Sequence, residues 1–138
     1  MLSAIDTNVI SALWSNEPAS EGMTELLFGA RQQGGLVICA PVYAELMAYP
    51  GASKAWVDSF LSDTRIEVDV SLERNVWELV GEAYSAYATR RREDRAGHPK
   101  RLLVDFVVGA HALLKADRLL TLDPKRYRSA YPELDLAL

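Results

Sequence analysis

This sequence of 138 residues has little cysteine, little histidine and no long apolar run. Because Cys39 is its one cysteine, an internal disulfide is impossible, and we expect this thiol to be buried in the apolar run around it. No window is long enough to cross a membrane, and residues 1–5 lack the cationic and apolar segments of a signal peptide. We therefore expect a single domain, residues 1–138, that is soluble in the reducing cytoplasm and has no membrane partner.

The two histidines do not suggest a zinc site. His111 falls in an apolar helical pattern, where we expect a hydrogen-bonded core histidine, and His98 lies beside Gly97 and Pro99 in an expected loop. Any metal in this protein is therefore expected to have oxygen ligands.

Acids outnumber Lys and Arg by 19 to 15, and positive charge is concentrated in one segment. The net charge is −4, with +4 on residues 90–101 and −8 on the rest. A basic segment beside an acidic pocket suits a phosphate backbone, although a solvated helix end is the simpler explanation for a charge run taken alone. The candidate RNA-binding residues are Arg90, Arg91, Arg92, Arg95, Lys100 and Arg101.

Short apolar runs alternate with helical patterns along the chain. Such alternation predicts an α/β domain with a mainly parallel sheet and helices on both faces. Pro41 is expected to begin one helix and Ser71 to cap another, while the apolar residues all round 102–114 predict a buried helix. The predicted strands are 2–5, 36–39, 66–70, 119–122 and 134–138, and the wet face of 66–70 places it nearer a sheet edge.

Four acids occupy equivalent places in this pattern. Asp6 and Asp123 follow strands, whereas Glu45 and Asp105 begin helices, so all four belong to the edge where parallel strands have their carboxyl ends. Asp105 interrupts an apolar helix, and a buried carboxylate requires a cation. Because Mg²⁺ and Mn²⁺ take carboxylate oxygens, we interpret the four acids as metal ligands and catalytic residues for phosphodiester hydrolysis.

Each acid also has an ordinary explanation. Asp6 could cap a helix, Glu45 could be an exposed helix residue, and Asp123 could be a turn acid. Asp105 could pair with Arg101, four residues earlier. One shared site nevertheless accounts for four positions more economically than four separate roles.

Two polar neighbours complete the candidate site. Asn8 and Thr121 are placed to orient a carboxylate or a water, although hydrogen bonding to the local backbone is the more common role for such residues. Asn8 also disfavours an alternative enzyme class, the haloacid-dehalogenase-like phosphatases, in which Asp6 would be the nucleophile and a second Asp is expected two residues later.

Four motifs resemble, in order and over the whole chain, those of PIN-domain ribonucleases. They are Asp6-Thr7-Asn8, Pro41-x-x-x-Glu45, Asp105-Phe-Val-Val-Gly-Ala-His-Ala and Leu-Leu-Thr121-Leu-Asp123. The resemblance is strongest to VapC toxins of toxin–antitoxin pairs. It implies a three-layer α/β/α domain, endoribonuclease activity on single strands, and Mg²⁺ or Mn²⁺ held by the four acids. It also implies a cognate antitoxin and a homodimer. A non-catalytic RNA- or protein-binding module of the same fold is the alternative.

Overall fold

The computed structural model describes residues 1–15, 18–94 and 100–137, in which strands alternate with one or two helices. The strands are β1 (Ser3–Ile5), β2 (Leu36–Cys39), β3 (Ile66–Asp69), β4 (Arg118–Leu120) and β5 (Leu136–Ala137). The helices are α1 (Thr7–Trp14), α2 (Ala19–Gln33), α3 (Ala40–Leu46), α4 (Lys54–Thr64), α5 (Arg74–Glu93), α6 (Leu103–Lys115) and α7 (Pro124–Arg128). Within these residues, none of the helices has the length and apolar character needed to cross a membrane.

The strands of the described residues form one sheet in the order β3-β2-β1-β4-β5, and every neighbouring pair is parallel. Helices cover both faces, which confirms the predicted α/β/α layers. Strands β1 and β2 are buried throughout, whereas β3 forms one edge and exposes Glu67 after the buried Ile66, as its alternation predicted. The prediction is wrong at Val70, which lies beyond the end of β3 and is 74% exposed. Cys39 is buried as expected, and burial raises the pKa of its thiol to about 11.

Two predicted helix starts are shifted in the structure. The prediction that Ser71 caps α5 is wrong, because Glu73 occupies that position. The N–H of Ser71 instead donates to the Asp69 carboxylate at 3.0 Å, and this turn keeps it outside the helix. Helix α3 begins at Ala40, one residue before the predicted Pro41, which leaves Pro41 in the first turn, where a missing donor has no cost.

Helix α6 is buried over the middle of its length. Its residues from Phe106 to Ala112 are all buried, which confirms the predicted buried helix. The prediction is wrong at both ends, since Leu102, Leu103 and Leu114 are 60%, 49% and 42% exposed. The first of these lies against an open cavity, so the start of α6 is accessible from solvent.

His111 is the buried histidine of α6, with 1% of its surface exposed. Its Nε2 lies 3.1 Å from Oδ2 of Asp69 at the end of β3, which confirms the predicted hydrogen-bonded core histidine. Burial lowers the pKa of His111, and this outweighs the opposite effect of Asp69. The contact is therefore a hydrogen bond from a neutral imidazole rather than an ion pair at neutral pH.

The lowered pKa of His111 predicts an acid-sensitive fold. Since the unfolded chain takes up this proton first, the stabilisation is complete above the ordinary pKa of about 6.5 and is lost as the pH falls below it. We expect the free energy of unfolding to fall more steeply between pH 7 and pH 5 in the wild type than in His111→Gln, whose amide still donates to Asp69. Urea unfolding at three pH values measures both slopes, and parallel slopes would contradict the prediction.

Candidate functional site

The order of the strands identifies one position at the carboxyl edge of the sheet where a ligand is expected to bind. The chain goes from β1 to β2 on one side and later returns to β4 on the other, so ligands are expected in the crevice where β1 and β4 meet. Asp6 follows β1 directly, and Thr121 follows β4 directly. The crevice is therefore lined by the end of the first strand and the end of the fourth.

A cavity of about 510 Å³ opens at this edge. Three of the four predicted acids line it, and Asp6 lies buried nearby, within electrostatic reach of Asp105. Basic residues also reach the cavity, so its wall carries both signs of charge. The lining residues are Glu45, Lys100, Arg101, Leu102, Asp105, Asp123, Lys125 and Arg126.

Asp6 is held by two hydroxyl groups from distant parts of the chain. Thr121 donates to its Oδ2 at 2.9 Å and Tyr127 donates to the same oxygen at 2.8 Å. Burial and the adjacent Asp6 raise the pKa of Tyr127 far above its ordinary value, so the phenol remains a donor. No described residue donates to Oδ1 of Asp6, which leaves that oxygen able to bind a cation. Tyr127 was not among the residues that the sequence indicated for this site.

Asn8 and Thr121 join the ends of β1 and β4. The Thr121 hydroxyl accepts the N–H of Asp123 at 3.0 Å and faces the Asn8 amide at 3.5 Å. The Asn8 carbonyl accepts the N–H of Leu122 at 3.1 Å, and this contact draws Leu122 out of the strand. Strand β4 therefore ends at Leu120 rather than at the predicted residue 122. Thr121 therefore contacts Asp6 directly, whereas Asn8 is linked to Asp6 only through Thr121.

Glu45 is tied to the first strand through a residue that the sequence analysis did not single out. It is exposed on α3, and the Thr7 hydroxyl donates to it at 2.7 Å. Because Thr7 follows Asp6 directly, the contact couples the positions of two acids that are far apart in sequence. The place of Thr7 between Asp6 and Asn8 was the only sequence signal for this role.

Arg126 is the main cation beside the acids. Its guanidinium lies 3.3 Å from Asp105 and 3.2 Å from Asp123. The alternative explanation of Asp105, an ion pair with Arg101, is wrong, because the Arg101 guanidinium donates to the Arg126 carbonyl instead. Burial nevertheless raises the pKa of Asp105, despite the opposing charge of Arg126. The spacing of three between Asp123 and Arg126 was the signal for this pair in the sequence.

The side chains suit a hard cation by their chemistry. Carboxylate oxygens are the ligands of Mg²⁺ and Mn²⁺. Burial raises the pKa of Asp105, and the nearby charge of Asp6 adds to this effect, so a cation at the cavity would favour the ionised carboxylate. In residues 1–15, 18–94 and 100–137, however, no three acidic, histidine or cysteine side chains are grouped closely enough to hold a metal ion. The donor set fits in kind, while Arg126 lies between two of its members.

The predicted RNA-binding residues fall into two groups. Lys100 and Arg101 line the cavity beside the acids, whereas Arg90, Arg91 and Arg92 are exposed in the last turn of α5. A groove of about 320 Å³ beside that turn is lined by Tyr84, Tyr87, Ala88, Arg91 and Arg92. The Tyr87 hydroxyl accepts the N–H of Arg101 at 2.7 Å and thus connects the two groups. Arg95 and His98 lie outside the described residues.

These features define a parallel α/β/α fold with a pocket at the carboxyl edge of its sheet, lined by three acids and four basic residues. The chain belongs to the PIN domain family, whose family model matches residues 4–130, so the predicted family is confirmed.

Two solved structures have a similar fold. VapBC2 from Rickettsia felis bound to a DNA fragment from their promoter gives a TM-score of 0.69 and 22% identity, covering 99% of this chain and 98% of that chain. VapBC-1 from nontypeable Haemophilus influenzae gives a TM-score of 0.71 and 22% identity, covering 99% and 97%. No curated protein sequence matches the chain. At this identity the two likenesses concern the fold.

Proposed function

We propose that this protein is a metal-dependent endoribonuclease and the toxin component of a type II toxin–antitoxin pair. The observation that carries the proposal is the convergence of Glu45, Asp105 and Asp123 on one cavity of a PIN domain, with Asp6 fixed beside it at the crevice between β1 and β4. Such a pocket suits hydrolysis of a phosphodiester, whose own negative charge must be offset before a nucleophile can approach.

In this proposal Asp6, Glu45, Asp105 and Asp123 hold Mg²⁺ or Mn²⁺. When bound, the cation supplies neutralisation of phosphate charge and makes a water more acidic. The hydroxyls of Thr121 and Tyr127 fix the orientation of Asp6, and the Thr7 hydroxyl does the same for Glu45. These contacts keep the carboxylates ordered before substrate arrives, which reduces the reorganisation that the reaction requires.

The basic residues are proposed to bind the RNA backbone. Lys100 and Arg101 at the cavity would contact phosphates near the cleaved bond, and the exposed end of α5 would contact phosphates further along the strand. Such contacts supply affinity and register rather than sequence choice. The proposed set is Arg90, Arg91, Arg92, Arg95, Lys100 and Arg101.

Protein partners are proposed from the similar structures. Both are VapBC proteins, which suggests a cognate antitoxin for this chain as well. The proposal also includes a homodimer and a cytoplasmic location.

Cleavage of RNA in the presence of a divalent cation tests the function. We expect purified protein to cut single-stranded RNA in Mg²⁺ or Mn²⁺ at defined positions, and we expect excess EDTA to abolish the products. Mapping the new ends would then identify the preferred sites. Cleavage that persists in EDTA would contradict the metal dependence. Binding of RNA without cleavage in either metal would instead favour the non-catalytic module.

A further inference from the structure

Arg126 forms ion pairs at the cavity of about 510 Å³, where its guanidinium bridges carboxylates from two elements. One nitrogen lies 3.3 Å from Asp105 at the start of α6, and another lies 3.2 Å from Asp123 at the start of α7. The two acids therefore share the guanidinium of Arg126, while the charge of Arg101 also acts on Asp105. Its side chain is 37% exposed, so the pairs are partly screened by water and can be broken at modest cost.

We propose that Arg126 is an internal counter-ion, which holds Asp105 and Asp123 in the metal-free protein and must leave them when a divalent cation binds. The inference rests on the proposed metal site. In this role Arg126 prevents repulsion between the acids while no cation is present, and it lowers the apparent affinity for the cation by competing for the same oxygens. Arg126 is thus a positioning residue, because it acts on the site through the carboxylates.

The backbone of Arg126 is anchored independently of its side chain. The Arg101 guanidinium donates to the Arg126 carbonyl, and the adjacent Tyr127 is buried with its hydroxyl on Asp6. The guanidinium can therefore turn away from Asp105 and Asp123 without moving the chain that carries Tyr127. This arrangement allows exchange of one cation for another with no change in the fold.

The loss of metal affinity depends on the fraction of time for which Arg126 is paired with Asp105 and Asp123. If the guanidinium occupies the carboxylates about nine-tenths of the time, the apparent dissociation constant for the metal rises about tenfold. A tenfold change corresponds to about 1.4 kcal/mol, which is the range expected for two partly exposed ion pairs.

Lys125 provides a matched control. It lines the same cavity, but no described residue forms an ion pair or hydrogen bond with it. Lys125→Gln removes the same charge from the same wall, and so measures the long-range electrostatic effect alone. Arg126→Gln removes that charge and the two direct contacts, and Arg126→Lys retains the charge while losing the planar fork that bridges two acids.

Isothermal titration of the metal-free proteins with MnCl₂ measures the competition directly. We expect Arg126→Gln to bind Mn²⁺ about tenfold more tightly than the wild type, with Arg126→Lys intermediate and Lys125→Gln changed less than about threefold. If the wild type binds Mn²⁺ and Arg126→Gln binds no more tightly, the counter-ion role is refuted while the proposed metal site remains. If no variant binds Mn²⁺, both are refuted.

Thermal unfolding separates competition from a purely structural role. Without metal, the melting temperature of Arg126→Gln should be lower than that of the wild type, because two acids lose their counter-charge. Saturating Mn²⁺ should remove or reverse this difference in melting temperature. If Arg126 only supports the fold, the difference in melting temperature will be the same with and without Mn²⁺. That result would overturn the proposal. If Arg126→Gln does not fold, the same comparison with Arg126→Lys decides the matter.

Discussion

Asp105→Asn is expected to reduce cleavage of RNA in Mg²⁺ by about a thousandfold or more, because the substitution removes one of the proposed metal-binding oxygens at the cavity. Charge stabilisation by a bound metal is worth several kcal/mol in the transition state, and about 4 kcal/mol corresponds to three orders of magnitude in rate. Initial rates on a labelled single-stranded RNA give the comparison. Titration with MnCl₂ should show a parallel loss of metal affinity.

The same substitution should have little effect on the free energy of unfolding. Burial raises the pKa of Asp105, which means that the folded protein disfavours the charged form relative to the unfolded chain. An uncharged amide of the same shape relieves this cost, and the relief offsets the lost pair with Arg126. Urea unfolding should therefore give wild-type stability or a slight gain, so that loss of activity cannot be attributed to loss of the fold.

Asp63→Asn is the matched control for this experiment. Asp63 is exposed on α4, and no described residue forms a hydrogen bond or ion pair with it. The control removes the same charge and should change neither cleavage nor stability. Activity of Asp105→Asn above about a tenth of the wild-type value would exclude Asp105 from the reaction.

The elements of this fold could be predicted from the sequence because their signals are local. The run 36–39 is bounded by Gly34 and Gly35 and matches β2 without error. The order of the strands could not be predicted, because β1, β2 and β4 are all short apolar segments and nothing in their composition distinguishes the neighbours of each. Only packing of the intervening helices selects the order.

The convergence of the candidate acids on one edge was likewise predictable, whereas their partners from distant parts of the chain were not. Each acid lies at the end of a recognisable local pattern, and the parallel sheet then brings these ends to one edge. The contact between Tyr127 and Asp6 joins residues 121 positions apart, and Arg126 reaches Asp105 across 21 positions. Such contacts arise from tertiary structure, so a single sequence contains no pattern that specifies them.

Gly109→Ala is expected to destabilise the fold by about 1–3 kcal/mol through overpacking in the middle of α6. A methyl group at this position would lie 2.5 Å from ring carbons of Tyr131 and 3.1 Å from the ring of Tyr127. Neither ring can move away easily, since the Tyr131 hydroxyl donates to the buried Phe106 carbonyl at 2.7 Å. Urea unfolding measures the loss.

Gly81→Ala is the corresponding control. Gly81 lies on the exposed side of α5, and a methyl group there meets nothing within 4 Å. Alanine should therefore stabilise this helix by about 0.5–1 kcal/mol, which is opposite in sign to the effect at Gly109. If both substitutions had the same sign, packing at Gly109 would not be the cause.

Tyr127 also connects Gly109 to Asp6 beside the cavity. The ring of Tyr127 is packed against Gly109, while its hydroxyl donates to the buried Asp6 at 2.8 Å. A shift of the ring by a few tenths of an ångström would lengthen that hydrogen bond and loosen the orientation of Asp6. We therefore expect Gly109→Ala to lower RNA cleavage by about tenfold even at temperatures where the variant is fully folded, as is typical when a residue that orients a ligand is disturbed. Gly81→Ala should retain wild-type cleavage, because no contact links Gly81 to Tyr127 or Asp6.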